Sequence, residues 1–184
     1  MLNGDLTARI ARSLQEEFNR KKFDINVLHD HRQNESDLTD KAGKLRSWFG
    51  PKPKPEFETL LSDLDIAIVS RSDNKVYALI EIEETTDKPK VILGDVFAAL
   101  LGSGIAFQGN YDFKVGEYTT LIVMVADKNE SHSKRLIFLN EQIAILKEKL
   151  ITPNAKIKRI IVVSYKDEAE LKDRLMPQVY EAIG

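Results

Sequence analysis

Two runs of alternating apolar and charged residues, Leu61–Val69 and Val76–Glu84, form the clearest pattern in the chain. Alternation with a period of two is typical of strands whose two faces meet different surroundings. The short segment between the runs, Ser70–Lys75, is rich in the serine, aspartate and asparagine residues that favour turns. We therefore predict a β-hairpin.

Each predicted strand of this hairpin carries carboxylates at even spacing. Asp63 and Asp65 share one face of the first strand, and Glu81 and Glu83 share one face of the second. If the register brings these faces together, three or four acids converge on one spot. Neighbouring carboxylates raise each other's pKa, and a hard divalent cation with oxygen ligands, Mg²⁺ or Mn²⁺, removes that cost. The alternative is that the acids lie on the solvated face of an edge hairpin.

Helical periodicity marks the first segment of the chain. A helix is predicted from Asp5 or Thr7 to about Arg20, with apolar residues at every fourth position. Glu17 falls inside this apolar stripe, because successive residues are separated by roughly 100° around the axis. A carboxylate facing the core needs a partner, and the simplest account is that Glu17 pairs with a lysine or reaches solvent at the end of the stripe.

Helices and strands alternate in the second half of the chain. Pro89 suits the first turn of a helix that is capped by Thr86 or Asp87 and ended by Gly102. The remaining patterns predict a loop over 107–116, buried strands over 119–126 and 157–164, a helix over 130–150, and a last helix that opens at Asp167 and is kinked or split at Pro177. With a short strand over 23–28, this order predicts an α/β protein whose mixed central sheet is flanked by helices.

Residues 30–58 are predicted to form an irregular basic insertion. Helical spacing within residues 36–49 predicts a short helix, and the prolines of residues 51–55 end it. Basic and aromatic side chains together suit phosphate contact and base stacking. The candidate nucleic-acid-binding residues are Lys41, Lys44, Arg46, Trp48, Lys52 and Lys54. The alternative is a solvated loop whose aromatic side chains pack into the core.

Composition narrows the class of protein. With 184 residues, 42% of them hydrophobic and 30% charged, residues 1–184 have the length and composition of a single globular domain. A net charge of −2 confines any nucleic-acid contact to a local patch. There is no cysteine, no apolar run approaches the ~20 residues that span a bilayer, and no export signal is visible, so we predict a cytoplasmic protein without membrane contact.

The order of elements and the hairpin carboxylates together resemble the PD-(D/E)xK nuclease superfamily, which has the restriction-endonuclease-like αβββαβ core. Members of this family place a helical Glu, an Asp at the start of one strand and a (D/E)-x-K motif on the next strand around a divalent metal. The matching positions here are Glu17, Asp65 in Leu-Asp-Ile-Ala-Ile-Val, and Glu81-Ile-Glu83.

The sequence departs from the family pattern at Glu83, which stands where the family has lysine. Some restriction enzymes of this fold also carry Glu at that position. In other members the lysine has moved to a neighbouring element, and Lys88 or Lys90 would then take its part. The identity of the general base therefore stays open.

The resemblance implies a Mg²⁺- or Mn²⁺-dependent endonuclease of restriction or repair type that hydrolyses phosphodiester bonds in DNA. Asp65, Glu81 and Glu83 would bind the metal, and Glu83 or a lysine would assist the attacking water. Cutting both strands of a duplex usually takes two sites, which would suit a homodimer. Two other readings stay open: an inactive module of this fold that binds nucleic acid or a protein partner, and an unrelated α/β protein with surface acids.

Overall fold

The computed structural model describes residues 3–30, 43–50, 60–84, 89–127, 130–150, 156–157 and 159–184. Within these residues the elements are, in chain order, α1 (Asn3–Arg20), β1 (Ile25–His29), β2 (Leu45–Trp48), β3 (Leu60–Asp63), β4 (Ile66–Ser70), β5 (Val76–Glu83), α2 (Pro89–Leu101), β6 (Gly104–Phe107), β7 (Asn110–Lys114), β8 (Thr120–Ala126), α3 (Glu130–Leu150), β9 (Arg159–Tyr165) and α4 (Glu168–Ile183).

A five-stranded mixed sheet runs through the centre of the described fold, in the spatial order β1-β4-β5-β8-β9. Strands β1, β4 and β5 pair antiparallel, whereas β5, β8 and β9 pair parallel. Parallel neighbours need a crossover connection, which α2 supplies between β5 and β8 and α3 supplies between β8 and β9. The prediction of an α/β protein with a mixed sheet flanked by helices is confirmed.

The two faces of this sheet bury separate cores, because side chains alternate along each strand. On one face, apolar residues pack against α2 and α3, and they include Leu79, Val123 and Ile92. On the other face, apolar residues pack against α1 and α4, and they include Ile80 and Phe18. Each residue of a central strand therefore belongs either to the α2 side or to the α1 side of the sheet.

A second, antiparallel sheet has the order β3-β2-β6-β7 and was not predicted. Strand β2 lies where a helix within an irregular insertion was predicted, and β6 and β7 form a hairpin over much of the predicted loop 107–116. Both predictions are wrong for these residues. Gly104 pairs with Trp48, and a Cβ there would lie 2.6 Å from the indole ring, so the close approach of β2 and β6 requires a glycine.

The first strand of the predicted hairpin, over Leu61–Val69, is two strands in two sheets. Strand β3 ends at Asp63 in the second sheet, and β4 begins at Ile66 in the central sheet. At the corner between them, the Leu64 amide donates to the Leu45 carbonyl, and the Asp65 carbonyl accepts from the Asp30 amide at 3.1 Å. Asp65 therefore occupies the point where the chain changes sheets.

The helices lie close to their predicted bounds. The capping arrangement that opens α4 is confirmed, since Asp167 Oδ1 accepts from the Glu170 amide at 2.9 Å. Of the kink or split predicted at Pro177, the split is wrong, because α4 continues through the proline to Ile183, and the kink stays a prediction. The caps predicted at Thr86 or Asp87 lie outside the described residues. Among the described helices, none combines the length and the hydropathy that crossing a bilayer takes.

Candidate functional site

Asp65 is fixed at one end of the central sheet by backbone contacts on both sides. Its carbonyl accepts from Asp30, which follows β1. Its carboxylate Oδ2 accepts from the Ile82 amide on β5 at 2.7 Å. The Asp65 carboxylate thus accepts a hydrogen bond from the Ile82 amide in the way that the carbonyl of a neighbouring strand would. This contact fixes the position of Asp65 relative to β5.

Glu81 lies beside Asp65 on the α2 side of the sheet. The register pairs Ile66 with Ile80, and extending it by one residue places Asp65 opposite Glu81. Glu81 lies two residues after Leu79, a residue of the core against α2, so the two side chains share one face of β5. Only 7% of the Glu81 surface is exposed. Its Oε1 atom is buried and has no hydrogen-bond partner among the described residues.

The surroundings of Glu81 disfavour its charged form. Burial raises the pKa of its carboxyl well above the usual 4.5, and the neighbouring charges of Asp65, Asp95 and Glu83 raise the pKa further. A hydrogen bond from the Asp65 backbone opposes this effect only in part. Asp65 and Glu83 are therefore near enough to Glu81 to act on its charge, while the predicted convergence of these acids on one cation stays a prediction. We call these three residues and Asp95 the acidic cluster.

Asp95 was missed by the sequence analysis. It lies in α2 between Ile92 and Val96, which are buried against the central sheet. Burial and the charge of Asp65 raise the pKa of the Asp95 carboxyl. The sequence did contain a signal for Asp95, because it is the single carboxylate in the otherwise apolar segment 91–101 of α2.

Tyr165 closes the same end of the sheet from β9. Its side chain is 3% exposed, and its hydroxyl donates to the Glu83 carbonyl at 3.3 Å. Burial and the charges of Glu84, Glu83 and Asp65 raise the pKa of the Tyr165 hydroxyl. Tyr165 therefore holds the end of β5 that carries the acidic cluster.

Glu17 is not part of the acidic cluster. Its carboxylate accepts from Tyr180 at 2.7 Å and forms ion pairs with Arg20 at 2.7 Å and Lys21 at 3.3 Å. Hydrogen bonds from Arg20 and then from Tyr180 lower the pKa of Glu17 from 4.5 to about 2. The structure bears out the simple expectation that Glu17 pairs with cationic residues at the end of its apolar stripe.

The predicted basic residues are only partly within the described part of the chain. Lys41, Lys52, Lys54 and Lys88 lie outside it. Lys44 and Lys90 are exposed, and Lys90 lies in the first turn of α2. Arg46 Nε contacts Asp63 Oδ1 at 2.8 Å.

The aromatic residues next to this basic stretch have opposite surroundings. Trp48 is 8% exposed, with its ring against Gly104, so its face is not open to a nucleic-acid base. Phe49 is 55% exposed. Trp48 therefore packs into the core, as the alternative to nucleic-acid binding predicted. Phe49 keeps an exposed ring surface of the kind that stacks on bases.

The residues of the acidic cluster fit a hard divalent cation by their chemistry. Their side chains offer carboxylate oxygens, the ligands that Mg²⁺ and Mn²⁺ prefer, and the buried Glu81 Oε1 still needs a partner. As placed, no three His, Cys, Asp or Glu side chains in the described ranges stand close enough to hold a metal ion together.

Comparisons with known proteins add no assignment. The chain matches no family model, no curated protein and no solved structure. Any statement about function therefore depends on the geometry and chemistry of the acidic cluster.

Proposed function

We propose that the protein is a Mg²⁺- or Mn²⁺-dependent endonuclease that hydrolyses phosphodiester bonds in DNA. The observation that carries the proposal is the buried carboxylate of Glu81, whose Oε1 has no hydrogen-bond partner among the described residues and whose neighbours are acidic. A buried charge without a partner is costly, and strongly shifted acids of this kind are concentrated at functional sites.

The order and pairing of the elements support the proposal. The series α1, β1, β4, β5, α2, β8 contains three antiparallel strands, a helix, and a fourth strand parallel to the third. When β2, β3, β6 and β7 are set aside, this order agrees with the αβββαβ core that the PD-(D/E)xK resemblance implies, with Asp65 just before one strand and Glu81 on the next. The second sheet, β3-β2-β6-β7, is an addition to that core.

Roles for the individual residues follow from their positions. Asp65 and Glu81 would hold the cation, which when bound polarises a phosphoryl oxygen and lowers the pKa of a coordinated water. Glu83, two residues along β5 on the same face, would orient that water and accept its proton. A lysine of the 88–90 region would stabilise the charge that develops on the phosphoryl group.

A nicking assay on supercoiled plasmid DNA tests the proposal. We expect the protein to cut the plasmid with Mg²⁺ or Mn²⁺, and Asp65→Asn and Glu81→Gln to slow cutting at least about 100-fold. Asp65→Asn keeps an oxygen that can accept from the Ile82 amide, so the fold is retained while the charge is lost.

The matched control for this assay is Asp63→Asn. Asp63 lies two residues before Asp65 but makes an exposed ion pair with Arg46, which contributes little to stability. We expect this variant to cut at the wild-type rate. Equal trace cleavage by the wild type and all three variants would show contaminating activity and would refute the endonuclease.

A second function is favoured by Glu83, which stands in the position of the family lysine. In this alternative the chain is an inactive module of the same fold that binds nucleic acid or a protein partner without cutting. Calorimetry separates the two functions: DNA binding that is retained while millimolar Mn²⁺ does not bind supports the module. Binding of Mn²⁺ that is lost in Glu81→Gln supports the nuclease.

A further inference from the structure

Helix α2 contributes a carboxylate to the acidic cluster that neither the hairpin pattern nor the family resemblance indicates. We propose that Asp95 is a ligand of the cation site, so that α2 takes part directly in holding the cation together with β4 and β5. This inference rests on the proposed function, since it concerns the same site. It adds a third structural element to a site that the sequence assigned to one hairpin.

The packing of α2 places Asp95 on the correct side of the sheet. Ile92 and Val96 are fully buried in the core that also contains Leu79. Glu81 projects from the same face of β5 as Leu79, because it is two residues further along the strand. Asp95 lies between Ile92 and Val96 in the sequence of α2 and is half-buried, and it is near enough to Glu81 for its charge to raise the pKa of the Glu81 carboxyl.

The position of Asp95 has no other explanation in the described fold. It lies in the interior of Pro89–Leu101, away from the first turn, where an aspartate would cap the helix. Aspartate is a poor residue for a helix interior. Among the described residues, Asp95 makes no hydrogen bond or ion pair, and its electrostatic neighbours Asp65 and Glu81 are acids.

The Oε1 atom of Glu81 points independently to a bound ligand. This atom is buried and unpartnered within the described residues, in a side chain that is more than nine-tenths buried. A cation at Glu81 would satisfy Oε1 and would also remove the repulsion between Asp65, Asp95 and Glu81. By their chemistry, the carboxylates of Asp65, Glu81 and Asp95 are oxygen ligands of the kind that Mg²⁺ and Mn²⁺ prefer, although as placed they do not yet stand close enough to hold an ion together.

The test is a titration of the purified protein with Mn²⁺ alone, followed by electron paramagnetic resonance or calorimetry. The variants are Asp95→Asn, Asp65→Asn as a reference for the site, and Asp173→Asn as a matched control. Asp173 is an exposed aspartate inside helix α4, so the control repeats the same chemical change in the same kind of element. We expect Asp95→Asn to weaken Mn²⁺ binding at least tenfold and Asp173→Asn to leave it unchanged.

Thermal unfolding without metal separates a ligand from a structural residue. Asp95→Asn removes a like charge from the acidic cluster, so its midpoint should equal or exceed that of the wild type. A lower midpoint without metal would show that Asp95 supports the fold, and the proposal would be wrong.

The two proposals fail in different ways. If the wild type does not bind Mn²⁺ at millimolar concentration, the cation site and the endonuclease are both refuted. If Asp65→Asn weakens binding but Asp95→Asn binds as the wild type does, only the role of Asp95 is overturned.

Discussion

At the scale of single residues, Glu81 occupies a position that costs free energy when no counter-charge is present. The side chain is buried beside Asp65, Asp95 and Glu83, and Oε1 is unpartnered within the described residues. The native state therefore favours the protonated carboxyl, while the unfolded chain ionises near 4.5. The native state then binds more protons than the unfolded state once the pH exceeds 4.5, and stability falls as the pH rises.

Glu81→Gln should therefore stabilise the metal-free protein. At pH 7 we expect the free energy of unfolding to rise by about 1 kcal/mol or more, because glutamine is neutral in both states whereas Glu81 is ionised in the unfolded chain and must lose that charge when the chain folds. The gain should disappear below about pH 4.5, where Glu81 is protonated in both states. Urea denaturation in EDTA between pH 4 and 8 measures this gain in the free energy of unfolding. A loss of stability at pH 7 would mean that the carboxylate has a partner that stabilises its charge.

Glu17 should show the opposite dependence on pH. Its pKa is lowered to about 2 by hydrogen bonds from Arg20 and then Tyr180, so its contribution is present above 4.5 and is lost as the pH falls towards 2. Glu17→Gln should lower the melting temperature at pH 7 by a few degrees at most, since its ion pairs face solvent.

Thermal unfolding between pH 2 and 7 measures this effect, and the difference from the wild type should vanish near pH 2. Glu16→Gln, an exposed neighbour on the same helix, serves as the control and should match the wild type throughout. If Glu17→Gln also slowed plasmid cutting, the placement of Glu17 outside the acidic cluster would be contradicted.

The sequence predicted some residues of the candidate site and not others for a physical reason. Alternation along the hairpin is a local property, so it could indicate that Asp65 and Glu83 lie near Glu81, whose pKa their charges raise. Whether Glu17 lies near these carboxylates depends on where α1 packs against the sheet, and local sequence patterns do not predict that packing. Asp95 was missed because its proximity to Asp65 comes from tertiary packing of α2.

At the scale of elements, the second sheet depends on the close contact between β2 and β6. Gly104 lies opposite Trp48, and a Cβ would come within 2.6 Å of the indole and 2.9 Å of the Phe113 carbonyl. Gly104→Ala should therefore destabilise the protein by ~1–3 kcal/mol, as overpacked substitutions do. Equilibrium denaturation measures the change.

Gly94→Ala is the matched control for Gly104→Ala. Gly94 lies exposed within α2, and a Cβ there would meet nothing within 4 Å. Because alanine is the better helix former, this variant should gain about 0.5–1 kcal/mol. Equal effects of the two substitutions would show that the contact with Trp48 does not restrict position 104.

The second sheet also shows where sequence patterns stop being informative. Strand β2 has only four residues, Leu45–Trp48, and Leu45 is spaced from neighbouring apolar residues as in a helix. Tertiary pairing with β3 and β6 overrides that local preference. By contrast, β8 and α3 are long and strongly patterned, and their predicted bounds are close to those observed.

At the scale of the whole molecule, stability and cation binding are expected to depend on opposite ends of the central sheet. Phe18 is fully buried and packs edge-on against Phe23 and Tyr180, near the end of β1 at Ile25. The acidic cluster lies at the other end, before Ile66, and the five residues of β4 separate the two by roughly 16 Å.

Phe18→Ala should therefore weaken the fold without weakening the site. We expect a loss of ~3–5 kcal/mol in the free energy of unfolding, typical of a deleted core phenylalanine. The Mn²⁺ affinity of the folded variant should equal that of the wild type, measured below its unfolding transition. A matching loss of Mn²⁺ affinity would show that the two ends are coupled.

The corner at Asp65 has a consequence for how this protein can diversify. The described strands between β1 and β4, which are β2 and β3, belong to the second sheet, and the chain enters the central sheet again at Asp65, which is held by the amides of Asp30 and Ile82. Strands β2 and β3 can therefore vary between related proteins while Asp65, the proposed cation ligand, keeps these two contacts. Under the proposed function, substrate preference would change with the second sheet, while the acidic cluster would keep the same chemistry.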